Sequence, residues 1–442
     1  MLNLQKRGFR HLTRLHDNVR YLQLSSLTRY FQATMRILII LLTSFLLSIN
    51  LHAQKATGKL WRAVLQRADS NNIVFNFELR QKNSRPVLYI MNAAERIEVD
   101  SVRTIRDSIF IKMPVFESSF KAVLKNKKWE GVWIKGTSGA EQVMPFYAEQ
   151  SSVRFPVSGT NSITNISGRW AVNFASDKSG EALAVAEFRQ AGNRLTGTFL
   201  TPTGDYRFQE GVVNGNQLKL SGFDGGHAYL FTSDIVNNNT ITNGKFYSGP
   251  KYVEDWSAVK NPKASVKQDK VAMYAKPGEE RLNFSFPDLQ GALVSINDEQ
   301  FKNKVVIIQL MGSWCPNCMD ETAFLSDYYN KNKQRGIEVI ALAYEYSTDF
   351  NRSQQSLKKF QQRFNIQYPV LITGITVSDT MRTEKTLPQV TRIKVFPSSI
   401  ILDKAGKIRK FDTGFYGPGT GEHYEAYKKE FYKTIDALLA EK

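Results

Sequence analysis

Hydrophobic and polar residues alternate in short runs along residues 54–262. Clear examples are residues 73–79, 108–112 and 217–221, each only five to seven residues long. Asn- and Gly-rich turns separate such runs, and helical spacing of apolar residues is nearly absent. A two-residue period places one face of a strand toward a core and the other toward solvent. This pattern predicts an antiparallel all-β region.

The all-β region also repeats. Residues 54–155 and 160–262 align at an offset of about 110 positions. The aligned pairs are Gly58 with Gly168, Trp61 with Trp170, Phe120 with Tyr229, Trp133 with Phe246, and Ala148 with Ala258. A Gly-x-Trp opening followed by evenly spaced strands resembles small up-and-down barrels of the lipocalin or avidin type. The pattern fits either two barrels or two packed sheets.

The pattern changes in residues 280–442, where short apolar strands alternate with amphipathic helices. Strands are predicted at residues 305–310, 337–343 and 368–372, and helices at residues 321–335, 353–364 and 422–439. Such alternation predicts βαβ units and a mainly parallel sheet. Residues 263–279 have few large apolar residues and are predicted to be a linker.

Only two cysteines occur among the 442 residues, and they lie three positions apart at Cys315 and Cys318. A structural disulfide to another part of the chain is therefore excluded. A Cys-x-x-Cys between a strand and a helix is the signature of a redox-active dithiol. A zinc site would need four ligands, and only His227 and His423 follow residue 53. No metal or cofactor is expected.

The position of the cysteines predicts different roles for them. Cys315 would lie at a helix N-terminus, where free N–H groups and the helix dipole stabilise a thiolate. Cys318, one turn later, would be more buried and would resolve a mixed disulfide formed at Cys315. Pro316 suits a first helical turn, where its missing N–H costs nothing.

Two segments carry a family resemblance. Residues 312–321, GSWCPNCMDE, resemble the W-C-x-x-C-x-x-E segment of TlpA/ResA-type thiol–disulfide oxidoreductases of bacterial cell envelopes. Residues 395–407 resemble that family's proline-and-strand motif, which is followed by a D-x-x-G-K hairpin. The resemblance implies a thioredoxin fold for residues 280–442. It also implies that a cis peptide precedes Pro397, that Pro397 faces the cysteines, and that Trp314 shields the dithiol.

Glu321 is the remaining candidate catalytic residue. It follows Cys318 by three positions, so a helix places both on one side. The resemblance implies that it moves the proton of the buried cysteine, as a carboxyl with a raised pKa could do. The alternative is a surface glutamate favoured by the helix dipole. Ordinary thioredoxins have a buried Asp six residues before the first cysteine, but here that residue is Gln309.

Residues 1–53 are predicted to be a targeting region. Residues 35–53 combine a charged start, an apolar stretch and Ala53, which predicts a secretory signal peptide cleaved near Ala53. An uncleaved membrane anchor is the alternative, and residues 1–34 precede this second plausible start. Removing residues 1–53 lowers the formal charge from +18 to +12, because the segment holds seven basic residues and one acidic residue. The excess charge is scattered, which argues against nucleic-acid binding.

These patterns predict a periplasmic thiol–disulfide oxidoreductase that reduces envelope protein disulfides through its WCPNC dithiol. Its partners would be disulfide-containing envelope proteins and, by the resemblance, a membrane thiol carrier that recharges it. One alternative is an oxidase that donates its disulfide. Another is a ligand-binding β-barrel protein whose dithiol senses redox state. The two β repeats fit either a binding module or a spacer.

Overall fold

The computed structural model describes residues 58–158, 164–176, 184–267 and 271–441. The predicted targeting region, residues 1–53, lies outside them. The first repeat folds into one antiparallel sheet with the strand order β4-β3-β2-β1-β9-β8-β7-β6-β5. Its strands are β1 (Lys59–Leu65), β2 (Ile73–Lys82), β3 (Arg85–Asn92), β4 (Glu95–Val99), β5 (Val102–Ile105), β6 (Ser108–Lys112), β7 (Ser118–Lys125), β8 (Lys128–Lys135) and β9 (Gln142–Gln150).

The second repeat forms a similar sheet that closes on itself. Its strands are β10 (Gly168–Phe174), β11 (Ala184–Ala191), β12 (Arg194–Thr201), β13 (Gly204–Asp205), β14 (Gln209–Asn214), β15 (Gln217–Phe223), β16 (Ala228–Asn237), β17 (Thr240–Ser248) and β18 (Tyr252–Lys260). The strand order is β11-β10-β18-β17-β16-β15-β14-β12-β13, and pairing of β11 with β12 closes the barrel. Closure pairs the backbone N–H and C=O groups of the edge strands, which could otherwise pair with strands of another molecule and cause aggregation.

Both sheets are barrel-like, which confirms the antiparallel all-β prediction. The repeat is also visible in the structure, because the aligned tryptophans Trp61 and Trp170 occupy equivalent strands, β1 and β10. Each of these strands pairs with the last strand of its own repeat, β9 or β18. The first sheet ends at β4 and β5, and no pairing between these two strands occurs among the described residues.

The C-terminal region has a five-stranded sheet with the order β23-β22-β21-β24-β25 and helices packed on it. Its strands are β21 (Val305–Met311), β22 (Ile337–Ala343), β23 (Val370–Ile372), β24 (Ser398–Leu402) and β25 (Ile408–Thr413), preceded by the short pair β19 (Ser285–Pro287) and β20 (Leu293–Ser295). The helices are α1 (Pro316–Asn332), α2 (Phe350–Phe364), α3 (Arg382–Thr386) and α4 (Glu422–Ala440), with short 3-10 helices at Glu299–Phe301, Lys333–Arg335 and Pro418–Thr420. None of the helices in the described ranges is long and apolar enough to cross a membrane.

The prediction of a mainly parallel sheet is only half right. β21, β22 and β23 are parallel, but β24 and β25 run antiparallel to their neighbours. The predicted hairpin after Asp403 explains this, since a tight turn can join only antiparallel strands. The mixed sheet is the thioredoxin-like arrangement expected for this region.

The central strand β21 is buried along its whole length. Val305 and Ile307 belong to the apolar cluster that contains α1, while Val306 and Ile308 belong to the cluster on the opposite face. A strand covered on both faces needs a continuous apolar run rather than alternation. This explains why β21 could be recognised in the sequence, and it places the cysteine loop at the strand's carboxyl end.

The segment predicted as a linker is packed along part of its length. Ala264 lies in a small cluster with Val185 and Leu200 of the second barrel. Met273 is buried in the C-terminal core, and Ala275 forms an isolated bridge with Val390. The C-terminal fold therefore begins to pack before residue 280.

A buried arginine connects the two β sheets. The Arg154 side chain donates to Asn76 Oδ1 at 3.1 Å and to the Met91 carbonyl in the first sheet, and to the Ser221 carbonyl at 2.8 Å in the second. Burial lowers the pKa of Arg154 to about 10. A buried guanidinium is tolerated only when its N–H groups are hydrogen-bonded, so this residue fixes how the sheets meet.

We expect Arg154→Met to lower the free energy of unfolding by about 3 kcal/mol, because it leaves buried carbonyl groups without donors. The matched control is Arg194→Met, since Arg194 is largely exposed and pairs with Glu210 at the surface. That control should cost less than about 1 kcal/mol. Urea denaturation of both variants measures the difference, and equal losses would contradict the role given to Arg154.

Candidate active site

The two cysteines form a disulfide at the amino end of α1. Their Cα atoms are 5.2 Å apart, within the usual disulfide range. Cys315 is the N-cap residue, and its Sγ accepts a hydrogen bond from the Cys318 N–H at 3.2 Å. Pro316 occupies the first helical position. Cys318 is completely buried and Cys315 is 3 % exposed.

The predicted proline lies beside the disulfide. The peptide between Phe396 and Pro397 is cis, as predicted. The Phe396 carbonyl oxygen lies 3.5 Å from Cys315 Sγ. The structure therefore brings Pro397 and the cysteines together, although they are about 80 residues apart in the chain.

Trp314 is fixed on the other side of the cysteine loop. Its Nε1–H donates to the Tyr344 carbonyl at 2.8 Å, and its ring stacks on Tyr346 at 5.4 Å between centroids. Its edge meets the ring of Phe396 at 5.8 Å. A Cβ at Gly312 would overlap the indole ring, so only glycine lets the backbone pass this close.

Glu321 is buried, not a surface glutamate. It accepts hydrogen bonds from Gln309 Nε2 at 2.8 Å and from Ser399 Oγ at 2.9 Å. Gln309 and Ser399 face each other across β21 and β24, so the sheet holds both donors in place. Burial raises the pKa of Glu321 to about 7, although the two hydrogen bonds favour the ionised form. Gln309, which stands where ordinary thioredoxins have an aspartate, thus orients the Glu321 carboxyl.

Sequence reasoning missed two further buried carboxyl groups at this site. Glu345 accepts hydrogen bonds from the Ser313 N–H at 2.7 Å and from Ser313 Oγ at 2.6 Å, which holds the loop before Trp314. Asp320 lies in α1 and pairs with Arg207 of the second barrel. Burial raises the pKa of both acids to about 7. Glu345 lies just after the end of β22, beside the cysteine loop. This position is the signal from which the residue could have been found in the sequence.

Comparison with known proteins agrees with this geometry. Residues 277–411 match the AhpC/TSA family. The chain is 29% identical over 153 residues to a "Thiol-disulfide oxidoreductase ResA" of Bacillus thuringiensis, covering 35% of this chain and 77% of the relative. The protein of that name from Halalkalibacterium halodurans is 28% identical over 141 residues, covering 32% and 70%. The C-terminal region of this chain is therefore thioredoxin-like and similar to proteins of the TlpA/ResA type.

A solved structure from Chlorobium tepidum, a "putative Thiol:disulfide interchange protein DsbE", is also similar to this chain. It is 21% identical, has a TM-score of 0.29, and covers 38% of this chain and 100% of its own. The relatives support thiol–disulfide oxidoreductase activity, and Cys315 and Cys318 are the only cysteines that could carry it. The individual roles given to Cys315, Cys318, Glu321, Pro397 and Trp314 stay predictions.

The raised pKa of Glu321 gives a prediction for the stability of this protein. Between about pH 4.5 and 7 the native state keeps a proton that the unfolded state has released, so native stability falls as the pH rises. The Glu321→Gln variant has no titrating group at this position, so it does not lose stability in this way as the pH rises. We expect the variant to gain about 3 kcal/mol relative to the parent between pH 4 and pH 8.5. Urea denaturation at both pH values measures the free energies of unfolding of parent and variant. If their difference does not change with pH, Glu321 does not have the raised pKa on which the prediction depends.

Proposed function

We propose that this protein reduces disulfide bonds of other proteins in the cell envelope. The observation that carries the proposal is a cysteine pair at a helix N-terminus with a buried acid, Glu321, one turn later. The first cysteine gains thiolate character from the helix terminus. The second is buried and needs a base to ionise, and a carboxyl with a pKa of about 7 suits that task near neutral pH.

The reaction requires two exchange steps. In the first, the Cys315 thiolate attacks one sulfur of the substrate disulfide, and the other substrate sulfur leaves as a thiolate that takes a proton from solvent. In the second, Glu321 accepts the Cys318 proton and the resulting thiolate attacks Cys315 Sγ. The second substrate thiolate then leaves and is protonated. The substrate gains two electrons, and the protein ends in the disulfide form described above.

The disulfide form must be reduced again for another turnover. A secreted location is oxidising, so the electrons must come from a dedicated dithiol donor. By its likeness to the TlpA/ResA type, we propose a membrane thiol carrier for that role.

The envelope location rests on the signal-peptide pattern of residues 35–53. N-terminal sequencing of the protein recovered after export tests this, with Gln54 as the expected first residue. An unprocessed N-terminus in the cytoplasmic fraction would contradict it.

Two variants test the exchange steps separately. Cys318→Ser cannot complete the second step, so the reduced variant should accumulate a mixed disulfide between Cys315 and insulin, a model protein disulfide. Glu321→Gln keeps both thiols but lacks the base, so its mixed disulfide should decay at least about tenfold more slowly than that of the parent. Acid quenching followed by mass spectrometry of the trapped species measures both.

Cys315→Ser is the matched control and should form no adduct. Decay at the parental rate in Glu321→Gln would remove Glu321 from the mechanism. If the reduced parent leaves insulin disulfides intact while the oxidised parent forms disulfides in reduced insulin, the reductase proposal is wrong and the protein is an oxidase.

A further inference from the structure

The dithiol is covered by parts of the chain outside the thioredoxin-like region. One of them is the turn that follows β12 in the second barrel. Asn317, which lies between the two cysteines, donates to the Asp205 carbonyl and to its carboxylate, both at 3.1 Å. A Cβ on Gly204 would lie 3.0 Å from the Asn317 side chain. The barrel therefore contacts a residue of the Cys-x-x-Cys motif directly.

Arg207, in the same turn, is held by groups from the other two folded regions. It is 5 % exposed and forms ion pairs with Glu95 of the first sheet and Asp320 of α1. It also donates to the carbonyl of Pro316 at 3.2 Å. Removing one member of a buried ion pair is costly, because the remaining charge is left without a partner. Arg207 thus favours the arrangement in which the barrel covers the helix end.

A second turn covers the site from the first sheet. Val115 and Phe116, which lie between β6 and β7, belong to the apolar cluster that contains both cysteines. Glu117 fixes this turn on α2, because its carboxylate accepts from Arg352 at 2.7 Å and from Ser356 Oγ at 2.9 Å. Arg352 also donates to the Thr137 carbonyl of the first repeat at 2.8 Å.

Attack on a substrate requires one of its sulfur atoms to reach bonding distance of Cys315 Sγ. At 3 % exposure, Cys315 has no open surface on which a folded protein could dock. Residues 113–117 and 203–207 are called the cap here, because the first segment shares the apolar cluster of the cysteines and the second bonds to Pro316 and Asn317 between them. The contacts that hold the cap include apolar packing of Val115 and Phe116, together with hydrogen bonds and ion pairs that water can replace when the regions separate.

We propose that the cap determines the size of substrate that reaches Cys315, and that Arg207 and Glu117 hold it closed. Small disulfides need only a slight displacement of the cap, whereas protein disulfides need the β repeats to move off the dithiol. The proposal deepens the function proposed above and rests on it. It gives the β repeats a role as specificity determinants for the redox site.

The test compares rates with a large and a small reagent. In the first assay, Cys315 of the reduced full chain is alkylated with a small reagent, iodoacetamide, and with a large one, a 5-kDa polyethylene glycol maleimide. In the second assay, reduction of a protein disulfide, insulin, is compared with reduction of a small disulfide, 5,5′-dithiobis(2-nitrobenzoate). Arg207→Gln and Glu117→Gln each weaken one side of the cap. We expect both to raise the large-to-small rate ratio, for Arg207→Gln by about tenfold or more. Each ratio compares two reagents on the same thiol. A change in the reactivity of the Cys315 thiol itself affects both rates and therefore cancels.

Arg194→Gln is the control, since Arg194 is a largely exposed arginine of the same barrel outside the cap, and the change should leave both ratios unchanged. Unchanged or lowered ratios in the cap variants would overturn the proposal. If Arg207→Gln does not fold, as judged by circular dichroism, Glu117→Gln decides alone. The alkylation ratio needs no catalysis, so it still tests the cap if the parent proves unable to reduce insulin and the proposed function fails.

Discussion

The arrangement of this protein depends on one buried guanidinium. Arg207 pairs with Glu95 from the first sheet and with Asp320 from α1, while its own backbone belongs to the second repeat. Nearby charges raise the pKa of Arg207 despite its burial, so it stays charged. A buried charge without partners would be strongly unfavourable. The three regions therefore satisfy this residue only when they meet at the amino end of α1, where the dithiol lies.

The same helix end concentrates buried acids. Asp320, Glu321 and Glu345 each have a pKa raised to about 7 by burial, yet their partners differ. Asp320 faces a cation of the β repeats, whereas Glu345 and Glu321 accept hydrogen bonds from neutral donors: Ser313 for Glu345, and Gln309 and Ser399 for Glu321. An acid with neutral partners can take and release a proton without breaking an ion pair. Of the two acids with neutral partners, Glu345 holds the loop before Trp314, and Glu321 lies one turn after Cys318 on α1, where the proposed base is needed.

Much of the fold could be predicted because it depends on local patterns. β22 was predicted at residues 337–343, the bounds it has, because a buried parallel strand is a continuous apolar run. The dithiol and Glu321 were recognisable from their spacing on one helix. The pairing of the first strand of the second barrel, β10, with its last strand, β18, could not be predicted, since alternation alone does not specify the partner or the register of strands far apart in the chain.

The contacts that cover the dithiol were also beyond prediction. Arg207 lies in an ordinary polar turn, and its partner Asp320 is more than one hundred residues away in the chain. Glu345 had one signal, its position just after the end of β22, but the sequence does not show that it is buried. Such groups are recognisable only when the fold buries them, because burial rather than residue type gives them their raised pKa or fixed position.

The most direct test of the redox account is the reduction potential of the Cys315–Cys318 pair. Purified protein from residue 54 onward is equilibrated with graded thiol–disulfide buffers, and the free thiols are trapped and counted. The account predicts a potential near or below about −270 mV, as expected for a reductase supplied by a strong electron donor. A potential near about −120 mV, that of a strong oxidant, would contradict it.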